Sequence, residues 1–146
     1  MSMLRQIRWV ALITSWIVDI GGSSLFAVVY LTALVAVGRL TTAQVADPDF
    51  AKTMINDPVV FGTSFAGGTF FSILAGYVAA RMAGRAPLLH GVLSSAACLA
   101  GDVGSLSVLM TYPLWLAAFG ILVAPLAGLA GGWVASMQQR RALSPA

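Results

Sequence analysis

The most constraining feature of this chain is a series of four long apolar segments that contain no Lys, Arg or Glu. They cover about residues 9–37, 59–80, 88–110 and 114–136. A membrane-spanning helix needs roughly 20 mostly apolar residues, because the hydrocarbon core is about 30 Å thick. We therefore predict an all-α integral membrane four-helix bundle. It forms a single transmembrane domain over residues 1–146, with an outer loop at about 38–58.

The composition excludes the main alternatives to a membrane protein. Hydrophobic residues make up 59% of the chain and charged residues 9%, with a mean hydropathy of +0.90. A soluble domain carries about 25% charged residues, and disorder requires low hydrophobicity with high charge. One cysteine excludes a disulfide framework and a multi-cysteine metal site. The basic residues that give the net charge of +3 lie beside the apolar segments, so they indicate membrane topology and not a nucleic-acid partner.

The distribution of basic residues predicts the orientation of the chain. If the chain crosses the membrane four times, six of the eight basic residues fall on one side: Arg5, Arg8, Arg81, Arg85, Arg140 and Arg141. The outer side has Arg39 and Lys52, together with three aspartates. Loops rich in Lys and Arg stay in the cytoplasm. Both termini are therefore predicted to be cytoplasmic.

In the outer loop, residues 50–55 are predicted to form a short helix capped by Asp49.

Two rows of small residues recur at every fourth position. The second segment carries Gly68, Ser72, Gly76 and Ala80, and the fourth carries Gly120, Ala124, Gly128 and Gly132. Small residues at this interval let membrane helices approach closely. We interpret both rows as helix-packing faces, although a glycine-rich composition also produces short rows by chance. Whether they serve the monomer, a homo-oligomer or another subunit is left open.

The first and third segments share a short pattern. Asp19-Ile20-Gly21 in the first resembles Asp102-Val103-Gly104 in the third, as two tandem helical hairpins would leave behind. Short matches between membrane helices also arise without duplication, so both origins stay open.

Two aspartates interrupt the apolar segments near the predicted middle of the bilayer. An ionised carboxylate there costs at least about 2.5–3.5 kcal/mol. Small polar residues share the helical faces of Asp19 and Asp102, and the candidate polar site comprises Asp19, Ser15, Ser23, Asp102, Ser95 and Ser105. The site can be a proton or cation relay, it can be interhelical hydrogen-bonding glue, or it can pair with a basic residue of another subunit. We favour the last two of these interpretations over the relay.

Motifs for catalysis are missing from the sequence. It contains no phosphate-binding glycine loop, no paired-histidine metal motif and no serine nucleophile elbow. We therefore expect no enzyme and no metal site, and no cofactor is indicated.

The middle of the chain carries a resemblance to a known group. Residues 75–81 read Ala-Gly-Tyr-Val-Ala-Ala-Arg, and residues 87–91 read Pro-Leu-Leu-His-Gly. This pair of motifs resembles small uncharacterised bacterial proteins with four membrane-spanning helices. The resemblance covers only the middle hairpin turn. It implies the four-span topology and a bacterial inner membrane, and it transfers no site residues.

These observations lead to a primary expectation and an alternative. The chain is expected to be a non-catalytic membrane protein, in contact with membrane lipid, that packs as a homo-oligomer or as an accessory subunit of a larger membrane complex. The alternative is a small proton- or cation-coupled transporter that uses Asp19 and Asp102.

Overall fold

The structure, a computed structural model, describes residues 7–103 and 113–143. For residues 51–53, 101–103 and 143 it describes the backbone but not the side chains. The described residues are all-helical and contain no strand. Their order is α1 (Trp9–Ala36), α2 (Thr42–Val45), α3 (Phe50–Asn56), α4 (Pro58–Ala83), α5 (Pro87–Val103) and α6 (Leu114–Leu143).

Three helices are long and apolar enough to cross a membrane, namely α1, α4 and α6. At 1.5 Å per residue, their 28, 26 and 30 residues correspond to roughly 40–45 Å. The 17 described residues of α5 correspond to about 25 Å and are also apolar. Residues 104–110 of the predicted third span lie outside the described residues. The all-helical membrane class is therefore confirmed, whereas a fourth complete crossing stays a prediction.

The helix boundaries extend beyond the predicted spans for local reasons. α4 begins at Pro58, where Asp57 Oδ1 accepts hydrogen bonds from the backbone N–H groups of Val59 (2.9 Å) and Val60 (3.1 Å). It ends at Gly84, whose φ of 68° suits a glycine C-cap. α6 continues seven residues past the predicted end at 136, because Gln and Arg are good helix formers outside the apolar region.

The outer loop contains two short helices, of which the sequence analysis predicted one. α3 forms as expected, with Asp49 at its N-cap position as predicted, but the Asp49 side chain makes no cap hydrogen bond to the helix. Asp49 instead donates its backbone N–H to Asp47 Oδ1 at 2.7 Å. The other helix, α2, starts with a reciprocal capping box between Thr41 and Gln44. That Thr-x-x-Gln signature was present in the sequence and could have predicted it.

One charged residue of this loop has a shifted pKa. The pKa of Asp57 is lowered from its usual value, first by the hydrogen bond from the Val60 N–H and further by the Val59 N–H and the Arg39 guanidinium. The Arg39–Asp57 ion pair spans 3.7 Å and is exposed, so salt screens it. Asp57 is therefore ionised at neutral pH and caps the N-terminal end of α4.

The packing order places α4 and α5 between the two other long helices. α1 packs against α4 and α5, and α6 packs against the same two helices. The α4–α6 contact depends on close backbone approach. A methyl group added at Gly76 would lie 2.5 Å from the Gly128 carbonyl oxygen, and one added at Gly131 would lie 2.6 Å from the Tyr77 backbone nitrogen. Backbone atoms cannot move aside as a flexible side chain can, so these positions exclude any side chain.

The described bundle is apolar on its outside and small or polar on its inside. The largest fully buried side chains are those of His90, Ser15, Ser94 and Ser95. Large apolar side chains cover the exterior, for example Leu114, which is 87% exposed, and Trp133, which is 55% exposed. A water-soluble monomer does not expose so large an apolar surface. This distribution fits a bundle surrounded by lipid.

The backbone contact between α4 and α6 generates a testable prediction. Gly131→Val should destabilise the fold by about 1–3 kcal/mol or more, because the added side chain would overlap the α4 backbone. The matched control is Gly120→Val in the same helix, where an added methyl group meets nothing within 4 Å. The measurement is thermal unfolding in detergent followed by size-exclusion chromatography. Equal stability of the two variants would contradict the packing described here.

Candidate functional site

The candidate site is centred on Asp19, whose side chain is only 7% exposed. Asp19 lies ten residues after the first residue of α1, which places it about 15 Å along the helix. Ser72 of α4 donates its hydroxyl hydrogen to the carboxyl group, with Oγ 3.1 Å from Oδ1 and 3.3 Å from Oδ2. The acid therefore faces the bundle and joins α1, about a third of the way along that helix, to the middle of α4.

A partly open cavity of about 350 Å³ lies against this acid. The described residues that line it come from four helices: Asp19, Ile20, Ser23, Ser24, Gly68, Ser72, Ser95, Cys98, Leu99 and Ala124. Asp19 is the only carboxylate among them. The cavity therefore combines one acid and several hydroxyl groups with apolar side chains at about the middle of the bundle.

Ser95 belongs to the cavity wall, and its hydroxyl group lacks a hydrogen-bond partner. Its side chain is 1% exposed, and its Oγ has no hydrogen-bond partner, as is also true of the neighbouring Ser94. A buried polar group without a partner costs about 1–3 kcal/mol. Native structures retain few such groups, and each one calls for an explanation such as a bound ligand or water. The Ser95 Oγ lies against the α6 backbone, where a methyl group added at Gly128 would overlap it, so this hydroxyl group is enclosed between α5 and α6 and is not open to the cavity.

The structure brings only some of the other residues predicted for the polar site to the cavity. Ser23 lines the cavity with Asp19, whereas Ser15 lies one turn away and donates its hydroxyl hydrogen to the Leu12 carbonyl at 2.8 Å. Asp102 belongs to α5, but its side chain lies outside the description, and Ser105 lies outside the described residues altogether. Whether the two acids meet stays open.

Both rows of small residues change their surroundings in the same way along the bundle. Toward the end of the bundle that carries Arg81 and Arg140, Gly76, Ala80, Gly128 and Gly132 are buried. Farther along the rows, Gly68, Ser72 and Ala124 line the cavity, and a methyl group added at Gly120 would meet nothing within 4 Å. The rows therefore run from close helix contact into the cavity, and the sequence spacing alone did not predict this change.

A second polar cluster, missed by the sequence analysis, ties three helices together at the bundle end that holds both described chain ends. His90 is fully buried, and its Nε2 accepts a hydrogen bond from the Arg8 backbone N–H at 3.1 Å. The ring proton then belongs on Nδ1, which lies 3.1 Å from the Ala86 carbonyl oxygen. The Arg8 guanidinium donates to the Met82 carbonyl at 2.9 Å. His90 thus has a structural role at the start of α1.

The described residues offer no group of three or more His, Cys, Asp or Glu side chains that could hold a metal ion. Cys98 is a buried cysteine in the cavity wall. Comparisons with protein-family models, with curated proteins and with solved structures found no match for this chain. Function must therefore be argued from the geometry.

The His90 cluster predicts a stability effect. His90→Ala should destabilise the protein by about 1–3 kcal/mol, because the Arg8 N–H would lose its acceptor and a fully buried side chain would be removed. Leu88→Ala is the control, since Leu88 lies two residues away and is exposed on the apolar exterior. Thermal unfolding in detergent compares the two variants. An effect of His90→Ala no larger than that of Leu88→Ala would contradict this structural role.

Proposed function

We propose that this chain crosses a bacterial plasma membrane four times, with both termini in the cytoplasm. The separation of charge along the bundle supports this topology. Arg8 contacts the end of α4 near Arg81, and the bond between Tyr77 and Gln138 (2.8 Å) brings the basic end of α6 to the same region. The Arg39–Asp57 pair lies at the opposite end of α4. Arg5, also counted in the prediction, lies outside the described residues.

This topology predicts the behaviour of reporter fusions. Alkaline phosphatase, which is active only outside the cytoplasm, should be inactive when fused after Ala146 and active when inserted in the outer loop at Ala46. Green fluorescent protein should give the reverse pattern. Phosphatase activity at the C-terminus would contradict the four crossings.

We propose that the bundle functions as a small proton- or cation-coupled transporter centred on Asp19. The observation that carries this proposal is the buried carboxyl group in the wall of a partly open cavity of about 350 Å³. A carboxyl group that served only as interhelical glue would need no more than its bond to Ser72 and a closed contact. Ionisable residues inside membrane bundles are costly, and they commonly mark proton or ion pathways.

Asp19 can exchange one bound positive charge for another, namely a proton for a cation. As a neutral acid it can donate one hydrogen bond, and as a carboxylate it accepts the hydroxyl hydrogen of Ser72 and keeps further lone pairs for a cation. Binding of a cation then favours loss of the acid proton. Alternate opening of the cavity to the two sides of the membrane would convert this exchange into coupled transport.

The transporter proposal predicts an activity that depends on the carboxyl group. Protein reconstituted in liposomes should release protons, detected by a trapped pH-sensitive dye, when a cation gradient is applied. Asp19→Asn should reduce this flux at least tenfold, because the amide cannot exchange a proton. The matched control is Asp47→Asn in the exposed outer loop, which should retain the flux. Equal flux in both variants would contradict the proposal.

A non-catalytic packing role, in a homo-oligomer or as an accessory subunit, is the second candidate. It is favoured by small residues that nothing in the described chain covers. Methyl groups added at Gly21, Gly62 and Gly120 would meet no atom within 4 Å. A second copy or another membrane helix could approach the backbone at these positions. The mass of the complex in mild detergent tests this candidate, and a monomeric, flux-active protein would oppose it.

A further inference from the structure

We propose that the cavity beside Asp19 binds a small organic monocation, an ammonium group attached to a short hydrocarbon body. This inference rests on the proposed function and specifies its substrate class. It depends on four observations, which concern the charge, the size, the lining and the opening of the cavity.

The charge of the site matches one positive charge. Asp19 is the only carboxylate among the described lining residues, and among the described groups its one side-chain donor is Ser72. A carboxylate offers about four lone-pair positions, so most of its accepting capacity is open to a ligand. An ammonium group supplies several donors from one charged centre.

The volume is too large for a bare metal ion. At about 30 Å³ per water molecule, a cavity of about 350 Å³ corresponds to roughly ten waters. It falls within the range of small-molecule sites, which is about 300–1,000 Å³. A single sodium ion or proton would occupy a minor part of this space.

The lining has a polar side and an apolar side. Asp19, Ser23 and Ser72 provide carboxyl and hydroxyl groups, while Ile20, Leu99 and Ala124 provide hydrocarbon surface. A hard metal cation prefers six or more oxygen ligands and gains nothing from hydrocarbon. An alkylammonium ion uses both kinds of surface, since its head pairs with the acid and its body buries apolar area.

The cavity reaches the outside of the bundle beside α1. Two of its lining residues, Ile20 and Ser24, are themselves exposed, Ile20 by 41%. Because these residues lie about half-way along α1, the opening faces the lipid region. An amphipathic amine partitions into lipid in its neutral form, so it can enter by this route in addition to any aqueous one.

The test uses purified full-length protein in detergent and n-butylammonium chloride as the probe. We expect saturable binding by calorimetry and a rise in the unfolding temperature, as for any ligand that binds the native state. Sodium chloride at equal ionic strength and neutral 1-butanol should produce neither effect. Asp19→Asn should abolish binding, and Asp47→Asn should leave it unchanged.

A second variant keeps the test decisive if Asp19→Asn fails to fold. Ala124→Leu keeps the acid and adds volume in the cavity wall, so it should also block n-butylammonium binding while the folded protein is retained. Binding that survives both Asp19→Asn and Ala124→Leu, or that sodium reproduces, would overturn the inference. Failure here, combined with Asp19-dependent proton flux in liposomes, would refute the organic ligand and leave the transporter proposal standing. Loss of both activities would refute both.

Discussion

Close backbone contact between α4, α5 and α6 is the constraint on which the rest of this structure depends. In lipid, apolar side chains gain little by turning inward, so helix association relies on packing and on hydrogen bonds. Glycines at 76, 91, 128 and 131 bring the helix backbones to a separation that no side chain could occupy. Most large apolar residues then remain on the exterior, and the side chains that are fully buried are mainly small ones, with His90 as the largest of them.

The cavity arises where this close contact ends. Along the α4 row, Gly76 meets the α6 backbone, but one turn farther Ser72 meets Asp19 instead, and Gly68 faces open space. The same change occurs on α6 between Gly128 and Ala124. Small residues thus serve two purposes in one row. They allow contact where the helices converge, and they leave a polar space where the helices separate.

The helical class and the inward position of Asp19 followed from simple sequence rules. An apolar segment of 20 or more residues predicts a helix in lipid, and a lone acid within it must avoid the hydrocarbon. Cap chemistry explains why the boundaries were less accurate, because Asp57 and Gly84 determine the ends of α4 independently of hydropathy. Duplication into two hairpins, and any meeting of Asp19 with Asp102, stay predictions.

The roles of His90 and Ser95 were harder to predict because both depend on contacts between distant parts of the chain. His90 meets Arg8 across 82 residues, a contact that the spacing of residues along one helix does not indicate. Ser95 was placed on the face of Asp102, whereas the structure brings it to the cavity of Asp19. Periodicity identifies which residues share a face of one helix, but it does not identify the helix that the face meets.

Water access to the cavity is the most direct test of this account, because a polar cavity at mid-membrane depth must be hydrated when no ligand is bound. In a Cys98→Ala background, Gly68→Cys places a thiol in the cavity wall, and Val29→Cys places one on the exposed apolar face. A small water-soluble methanethiosulfonate, which reacts with the thiolate, should modify the first and leave the second unmodified in intact membranes. Equal resistance of both thiols would show a dry helix contact around Asp19 and contradict the account.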